Sequence, residues 1–262
     1  MALLKGKTAL VTGSTSGIGQ GVAEALAREG CHIMLNGFGD AAAIEVQRSG
    51  LEKQYGIKAL YSGADMRNPA AIHAMVEEAE KQLGGVDVLV NNAGIQHVAP
   101  VDEFPEEKWD AIMAINLSSA FHTVKAVAPG MRQKGWGRII NIASVHGLVA
   151  SAYKVAYVAA KHGILGLTKV VALDLAEAGV TCNAICPGYV RTPLVEKQIP
   201  DQAKTHGISE AEVIEKVLLK NHAVKQFVEV ADVAALVCFL CSDAAKTMTG
   251  VALPMDGGWS AQ

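Results

Sequence analysis

Hydrophobic residues follow two alternating patterns along the chain. Short runs rich in β-branched residues predict strands at 8–12, 32–35, 58–61, 86–90, 138–142, 181–185 and 251–254. Longer segments with apolar residues at helical spacing predict helices at 17–29, 41–55, 69–83, 106–133, 154–178 and 230–244. Strands and helices that take turns are typical of βαβ units, so we predict an α/β protein with a doubly wound Rossmann-type fold. Its seven-stranded sheet should be mostly parallel, with helices on both faces.

Length and composition favour one domain over two. The chain has 262 residues, of which 50% are hydrophobic and 19% charged, so a sizeable core is available and disorder is excluded. Aromatic residues make up only 5%, which indicates a core of Ala, Val, Ile and Leu, as in a parallel sheet covered on both faces. We therefore predict a single dinucleotide-binding and catalytic domain over 1–262.

A long segment interrupts the alternation between the strand that ends near Ile185 and the helix that begins at Val230. Within it, Ser209 and Glu212 have the spacing of a capping box, which predicts a short helix. The segment follows the carboxyl end of a strand, where open α/β sheets bind ligands. We predict that residues 191–222 form a lid over the site; a surface excursion without function is the alternative.

Charge and apolar patterning exclude several classes of partner. The net charge of −3 provides no general basic surface for nucleic acid or an anionic membrane. The longest uncharged apolar stretch, 233–241, is too short to span a bilayer, and the amino end does not resemble a secretory signal, so we expect a cytoplasmic protein. Cys238 and Cys241 form a Cys-x-x-Cys pair inside an apolar helical run; we interpret them as buried thiols and predict no metal site.

A glycine cluster follows the first predicted strand, in the sequence Thr12-Gly13-Ser14-Thr15-Ser16-Gly17-Ile18-Gly19. Glycines permit a tight turn and close backbone approach, and the helix that follows points free N–H groups at a pyrophosphate. This strand–turn–helix setting predicts a dinucleotide site. An acid that binds the ribose is expected at the end of the second strand, but Asn36 and Phe38 stand there with no neighbouring cation for a 2′-phosphate, which favours NAD over NADP.

Polar residues at fixed spacings indicate proton-transfer chemistry. Ser144 ends the fifth predicted strand, and Tyr157 and Lys161 lie four residues apart on one face of the next helix. A phenol has a pKa near 10, and we expect the Lys161 ammonium to lower the pKa of Tyr157 toward the working range. Asn116 lies in the helical run before this strand.

These motifs together resemble the short-chain dehydrogenase/reductase family over the whole chain. The resemblance is carried by the glycine cluster, Asn91-Asn92-Ala93-Gly94, Asn116, Ser144, Tyr157, Lys161, Pro187-Gly188 and Thr192. It implies a catalytic tetrad: Tyr157 exchanges a proton with the substrate oxygen, Ser144 hydrogen-bonds that oxygen, Lys161 holds the nicotinamide ribose and Asn116 positions a water. It further implies cofactor contacts from Gly13, Thr15, Ser16, Gly17, Ile18, Gly19, Phe38, Asp65, Asn92, Ala93, Gly94, Tyr157, Lys161, Pro187, Gly188, Val190 and Thr192.

Residues near the tetrad indicate the substrate. Gln96, His146, Lys154 and Gln198 supply one cation and several hydrogen-bond donors around the reactive alcohol, which favours a carboxylate. This set is similar to that of family members that act on D-3-hydroxybutyrate, and in them an aromatic residue matching Trp259 closes the site. Tyr189 departs from the resemblance, because several relatives have Trp there. Ser144 and Tyr157 complete the expected substrate contacts.

Three functions remain open: an NAD-dependent 3-hydroxy acid dehydrogenase, another enzyme of the family such as a 3-oxoacyl reductase or polyol dehydrogenase, and a non-enzymatic dinucleotide sensor. We expect the first, because every member of the tetrad is present. Apolar residues occupy more than one face of the predicted helix 154–178, which predicts that one face packs on a partner subunit. The family resemblance implies a homotetramer; an apolar helix buried within one subunit is the alternative.

Overall fold

A seven-stranded parallel sheet forms the centre of the molecule, as the computed structural model shows for residues 3–261, excluding the side chains of Leu194, Gln198, Asp201, Gln202, Thr205 and His206. Its strands are β1 (Thr8–Val11), β2 (His32–Asn36), β3 (Ala59–Ser62), β4 (Val88–Asn91), β5 (Gly137–Ile142), β6 (Val180–Pro187) and, after two short strands outside the sheet, β9 (Ala252–Met255). The order is β3-β2-β1-β4-β5-β6-β9, and every neighbouring pair is parallel. The predicted fold class is confirmed.

Helices cover both faces of this sheet because side chains alternate between the faces along each strand. The helices are α1 (Gly17–Arg28), α2 (Ala41–Tyr55), α3 (Pro69–Leu83), α4 (Glu106–Met113), α5 (Ser119–Lys134), α6 (Val155–Leu175), α7 (Pro193–His206), α8 (Glu210–Glu212) and α9 (Val230–Cys241). Val11 and Ile33 belong to the core under α1 and α9. Leu10 and Met34 belong to the opposite core, under α3, α5 and α6.

The helix predicted at 106–133 is interrupted in the structure. A π-helical segment, Ala114–Ser118, separates α4 from α5. A π-helical turn contains one extra residue, and the spacing of apolar residues does not reveal it. Such π-helical segments often lie at functional sites. Asn116 lies within it.

The insertion is more regular than its sequence predicts. Besides the short helix α8, whose Ser209–Glu212 capping box is confirmed, it contains α7 and a second π-helical segment, Val213–Leu218. Pro193 and Pro200 made α7 hard to predict, although Pro193 is at the first turn, where proline is tolerated. The short parallel pair β7 (Val190–Arg191) and β8 (Val228–Glu229) joins the two ends of the insertion.

Two helical stretches, Glu106–Lys134 and Val155–Ala178, are long and apolar enough to cross a membrane by length and composition. Both pack against the sheet through buried residues such as Val127 and Val171, as helices of this fold do. On α6, however, Val170 and Leu173 are 57% and 78% exposed. The alternative of an apolar helix buried within one subunit is therefore wrong for this face.

Candidate active site

The glycine cluster connects β1 to α1. It lies where the strand order reverses, between β1 and β4. Gly13 and Gly17 have φ angles of 62° and 55°, which favour glycine. A Cβ on Gly13 would lie 2.9 Å from the Cα of Ala93. A Cβ on Gly19 would collide with the carbonyl oxygen of Gly13. The loop is thus built from backbone that only glycine can form.

The amino end of α1 leaves backbone N–H groups available for an anion. Its N-cap residue, Ser16, makes no side-chain capping hydrogen bond, and the first turn contains no acidic residue. In contrast, Asp40 caps α2 and Asn68 caps α3. The open amino end of α1, next to the glycine cluster, fits the diphosphate of a dinucleotide.

Hydrogen bonds join the loop after β4 to the glycine cluster. Thr12 Oγ1 accepts the N–H groups of Asn92 and Ala93, each at 3.0 Å. Asn92 Nδ2 donates to the carbonyl oxygens of Thr12 and Gly13, each at 3.0 Å. These hydrogen bonds therefore join Asn92 and Ala93 to the start of the glycine cluster.

At the end of β2, Asn36 replaces the expected acid and is structural. It is buried, its Oδ1 accepts the N–H of Gly13 at 3.3 Å, and its Nδ2 donates to the carbonyl oxygens of Ser62 and Ala64. Phe38, one of the expected cofactor residues, is 67% exposed, and its carbonyl oxygen accepts a hydrogen bond from the Thr15 hydroxyl.

Asp65, one of the expected cofactor residues, forms an ion pair with Arg67. The Arg67 guanidinium approaches its carboxylate to 2.6 Å and lowers the pKa of Asp65. Sequence reasoning did not consider Arg67. Its charge is paired with Asp65, so it is not a free cation.

The cofactor residues predicted after β6 lie at the start of the insertion. Gly188 donates its N–H to Met255, and Val190 is buried in the core shared with α1. Thr192 caps α7, and its methyl group would lie 3.7 Å from a Cβ on Gly17. The start of the insertion therefore lies beside the glycine cluster.

Three members of the predicted tetrad, Ser144, Tyr157 and Lys161, lie together near the carboxyl end of β5. Burial raises the pKa of Tyr157, and a hydrogen bond between Tyr157 and Ser144 acts in the opposite direction. Lys161 Nζ is 5.6 Å from the centroid of the Tyr157 ring and donates to the carbonyl oxygen of Ile142 at 2.7 Å. The expectation that the pKa of Tyr157 is lowered is therefore wrong in this structure, because burial of the phenol outweighs the hydrogen bond with Ser144.

Burial also changes the acidity of Lys161, lowering its pKa to about 8. Lys161 is 4% exposed, and it donates a hydrogen bond to the neutral carbonyl oxygen of Ile142. The Lys161 ammonium therefore loses its proton at a pH closer to neutral than an exposed lysine does.

Asn116 is held by the loop that carries Gln96. Its Oδ1 accepts the N–H of Ile95 and its Nδ2 donates to the carbonyl oxygen of Ile95, both at 2.9 Å. The π-helical segment thus ties α4 and α5 to the loop after β4.

A cavity of about 140 Å³ opens beside the tetrad. It is lined by Gln96, Ser144, Val145, His146, Lys154, Tyr157, Gly188, Tyr189 and Trp259. The predicted substrate residues meet here, apart from Gln198, whose side chain lies outside the described residues. Trp259 lines the cavity of its own chain.

Lys154 and His146 form the polar end of this cavity. Lys154 Nζ is 3.3 Å from His146 Nε2. Burial and the Lys154 charge lower the pKa of His146 to about 4, so the ring is neutral near pH 7 and accepts from the ammonium. Burial also lowers the pKa of Lys154. One ammonium held by a neutral histidine is suited to a single carboxylate.

Aromatic rings close the other side. Tyr189 and Trp259 stack at 6.2 Å with an interplanar angle of 13°, and His146 meets the Trp259 ring edge-on at 5.2 Å. His222, from the insertion, lies 5.8 Å from Trp259. Sequence reasoning missed His222, because no local pattern links it to this wall.

Comparisons with known proteins agree with this geometry. A family model described as "Enoyl-(Acyl carrier protein) reductase" matches residues 13–260. The chain belongs to the short-chain dehydrogenase/reductase family and is an oxidoreductase.

Individual relatives are similar over their full length. The D-beta-hydroxybutyrate dehydrogenase of Cupriavidus necator is 56% identical, covering 99% of this chain and 100% of the relative, and that of Rhizobium meliloti is 55% identical, covering 98% and 99%. The L-sorbose reductase of Gluconobacter frateurii, solved with NADPH and L-sorbose, superposes with a TM-score of 0.93 at 30% identity, covering 99% of this chain and 98% of that one. The predicted resemblance is confirmed.

Proposed function

We propose that this protein is an NAD-dependent dehydrogenase that interconverts D-3-hydroxybutyrate and acetoacetate. The observation that carries the proposal is the small cavity lined by Lys154, Ser144 and Tyr157. A short acid with a hydroxyl group on its third carbon can place its carboxylate at Lys154 and its hydroxyl at Tyr157. The names of the two similar dehydrogenases support the same substrate.

NAD is the proposed cofactor. The free amino end of α1 and the glycine cluster would hold its diphosphate, and Lys161 would hold the nicotinamide ribose. Asn36 and Phe38 provide no cation for a 2′-phosphate, which supports NAD over NADP. The L-sorbose reductase relative was solved with NADPH, so cofactor choice needs its own experiment.

In the proposed mechanism, the protein orients the hydroxy acid and moves its proton. Lys154, His146, Gln96 and Gln198 bind the carboxylate, and Ser144 donates a hydrogen bond to the reacting oxygen. Tyr157 accepts the hydroxyl proton, and Asn116 positions a water that carries the proton onward. A bound NAD⁺ would supply the acceptor for the hydride from the third carbon, and its positive charge would favour the Tyr157 phenolate. The charge of Lys161 acts in the same direction.

Three further assignments belong to this proposal. Residues 191–222 act as a lid that brings Gln198 to the substrate. Limited proteolysis should cut this segment more slowly with NAD and substrate than without them.

The exposed Val170 and Leu173 support packing of α6 on another subunit, in a homotetramer. The five free cysteines suit a reducing cytoplasm.

The experiment is a turnover screen with the purified protein. D- and L-3-hydroxybutyrate, the methyl ester of the D acid, a polyol and a 3-oxoacyl thioester are offered with each cofactor in the matching redox state. We expect the D acid to be preferred and NAD to exceed NADP by at least about tenfold in kcat/KM, or about 1.4 kcal/mol. Preference for the ester, the polyol or the thioester would overturn the substrate, and equal efficiency with both cofactors would overturn the choice of NAD.

A further inference from the structure

The end of the insertion places a buried histidine behind the aromatic wall of the cavity. His222 is 1% exposed. Its ring lies between Gly188 and Gly257, where an added Cβ would come within 2.7 Å and 2.8 Å of ring atoms. The two glycines make room for the ring, so the chain on both sides is shaped around it.

One hydrogen bond joins the ring to the wall of the cavity. His222 Nε2 accepts the backbone N–H of Tyr189 at 3.3 Å. Because Nε2 is the acceptor, the neutral ring carries its proton on Nδ1. That nitrogen is buried, and a backbone hydrogen bond with Gln226 acts on the ring as well. An apolar side chain would lose the bond to Tyr189, which links the ring to the wall of the cavity.

The same ring touches the other aromatic residues of the wall. Its centroid is 6.2 Å from that of Tyr189 and 5.8 Å from that of Trp259. Tyr189 in turn packs on the core of the insertion, with buried Ile199 and Leu218. His222 is therefore a direct connection between the insertion and two residues that line the cavity.

We propose that His222 is a positioning residue that fixes Tyr189 and Trp259 and thereby couples the insertion to the shape of the substrate cavity. The proposal rests on the proposed function, in which this cavity holds the hydroxy acid. His222 acts through its neighbours, without contact to the reacting atoms.

Steady-state kinetics of two variants test the coupling. His222→Leu removes the acceptor for the Tyr189 N–H, whereas His222→Gln can return one. We expect His222→Leu to raise KM for D-3-hydroxybutyrate about three- to tenfold, the range for one hydrogen bond, with little change in kcat or in KM for NAD. His222→Gln should restore most of the loss.

His73→Leu is the matched control, because it makes the same substitution on α3, at a residue that does not line the cavity. It should leave both KM values unchanged. A wild-type KM in His222→Leu, or no rescue by His222→Gln, would overturn the proposal.

Amide hydrogen exchange separates this inference from the proposed function, since it needs no substrate. The Tyr189 amide should exchange faster in His222→Leu than in the wild type or His222→Gln. Equal exchange in all three would disprove the coupling even if the enzyme oxidises the acid. Conversely, a wild type without activity on the acid would refute the function, while the exchange rates would still decide the role of His222.

Discussion

The two halves of the candidate site are built differently. In the cofactor half, glycines and backbone groups form the surface, and polar side chains such as Asn36 and Asn92 have hydrogen-bond partners. In the substrate half, buried ionisable side chains form the surface, and the pKa values of His146 and Lys161 are displaced to about 4 and about 8. We therefore expect steric changes to impair the cofactor half, and changes in charge or protonation to impair the substrate half.

Tyr157→Phe should produce the largest effect, because it removes the proton acceptor of the substrate half and keeps the ring. We expect kcat to fall by about 10²–10⁴-fold, the usual range for general acid–base catalysis, with cofactor affinity little changed. Tyr153→Phe is the control, since Tyr153 is exposed and four residues away. Turnover near the wild-type value in folded Tyr157→Phe would mean that another group moves the proton.

Gly19→Ala tests the steric nature of the cofactor half. The added methyl group would collide with the carbonyl oxygen of Gly13, and overpacking costs about 1–3 kcal/mol. We expect NAD affinity to fall about ten- to hundredfold in titration calorimetry. Gly50→Ala on α2, where a Cβ meets nothing within 4 Å, should bind NAD normally and unfold at a slightly higher temperature. Similar affinities for the two variants would show that the glycine cluster is not the cofactor cradle.

Lys154→Ala tests the charge of the substrate half. Loss of a charge-assisted contact should raise KM for D-3-hydroxybutyrate about ten- to hundredfold, with no matching effect on the methyl ester. Lys169→Ala, an exposed lysine on the same helix, is the control. Unchanged kinetics for the acid in Lys154→Ala would show that the substrate carboxylate does not bind at Lys154 in this cavity.

The pKa of His146 gives the smallest effect and concerns stability. In the folded protein it is lowered from 6.5 to about 4, so the unfolded chain binds more protons at intermediate pH. Stability is full above pH 6.5 and falls as the pH drops from 6.5 toward 4. Denaturant unfolding should show a loss of roughly 2 kcal/mol between pH 7 and pH 5 that His146→Gln removes. Equal pH dependence in the two proteins would show that His146 is not held neutral.

Much of the fold could be predicted because its signals are local. Strand and helix periods differ, so the alternation predicted every strand of the main sheet with ends within a few residues of those observed. The π-helical segment at Asn116 and the helix α7 were missed. One extra residue in a turn and a proline inside a helix are tolerated only where tertiary contacts stabilise them.

The sequence by itself determined the residues whose geometry follows from short spacing: the glycine cluster between β1 and α1, and Tyr157 and Lys161 on one helix face. The tertiary structure decided which distant residues share a cavity. It brought Gln96, Lys154, Tyr189 and Trp259 together from separate loops and placed His222 behind them. It also decided that the pKa of Tyr157 is raised, because desolvation depends on packing around the side chain, which local spacing does not specify.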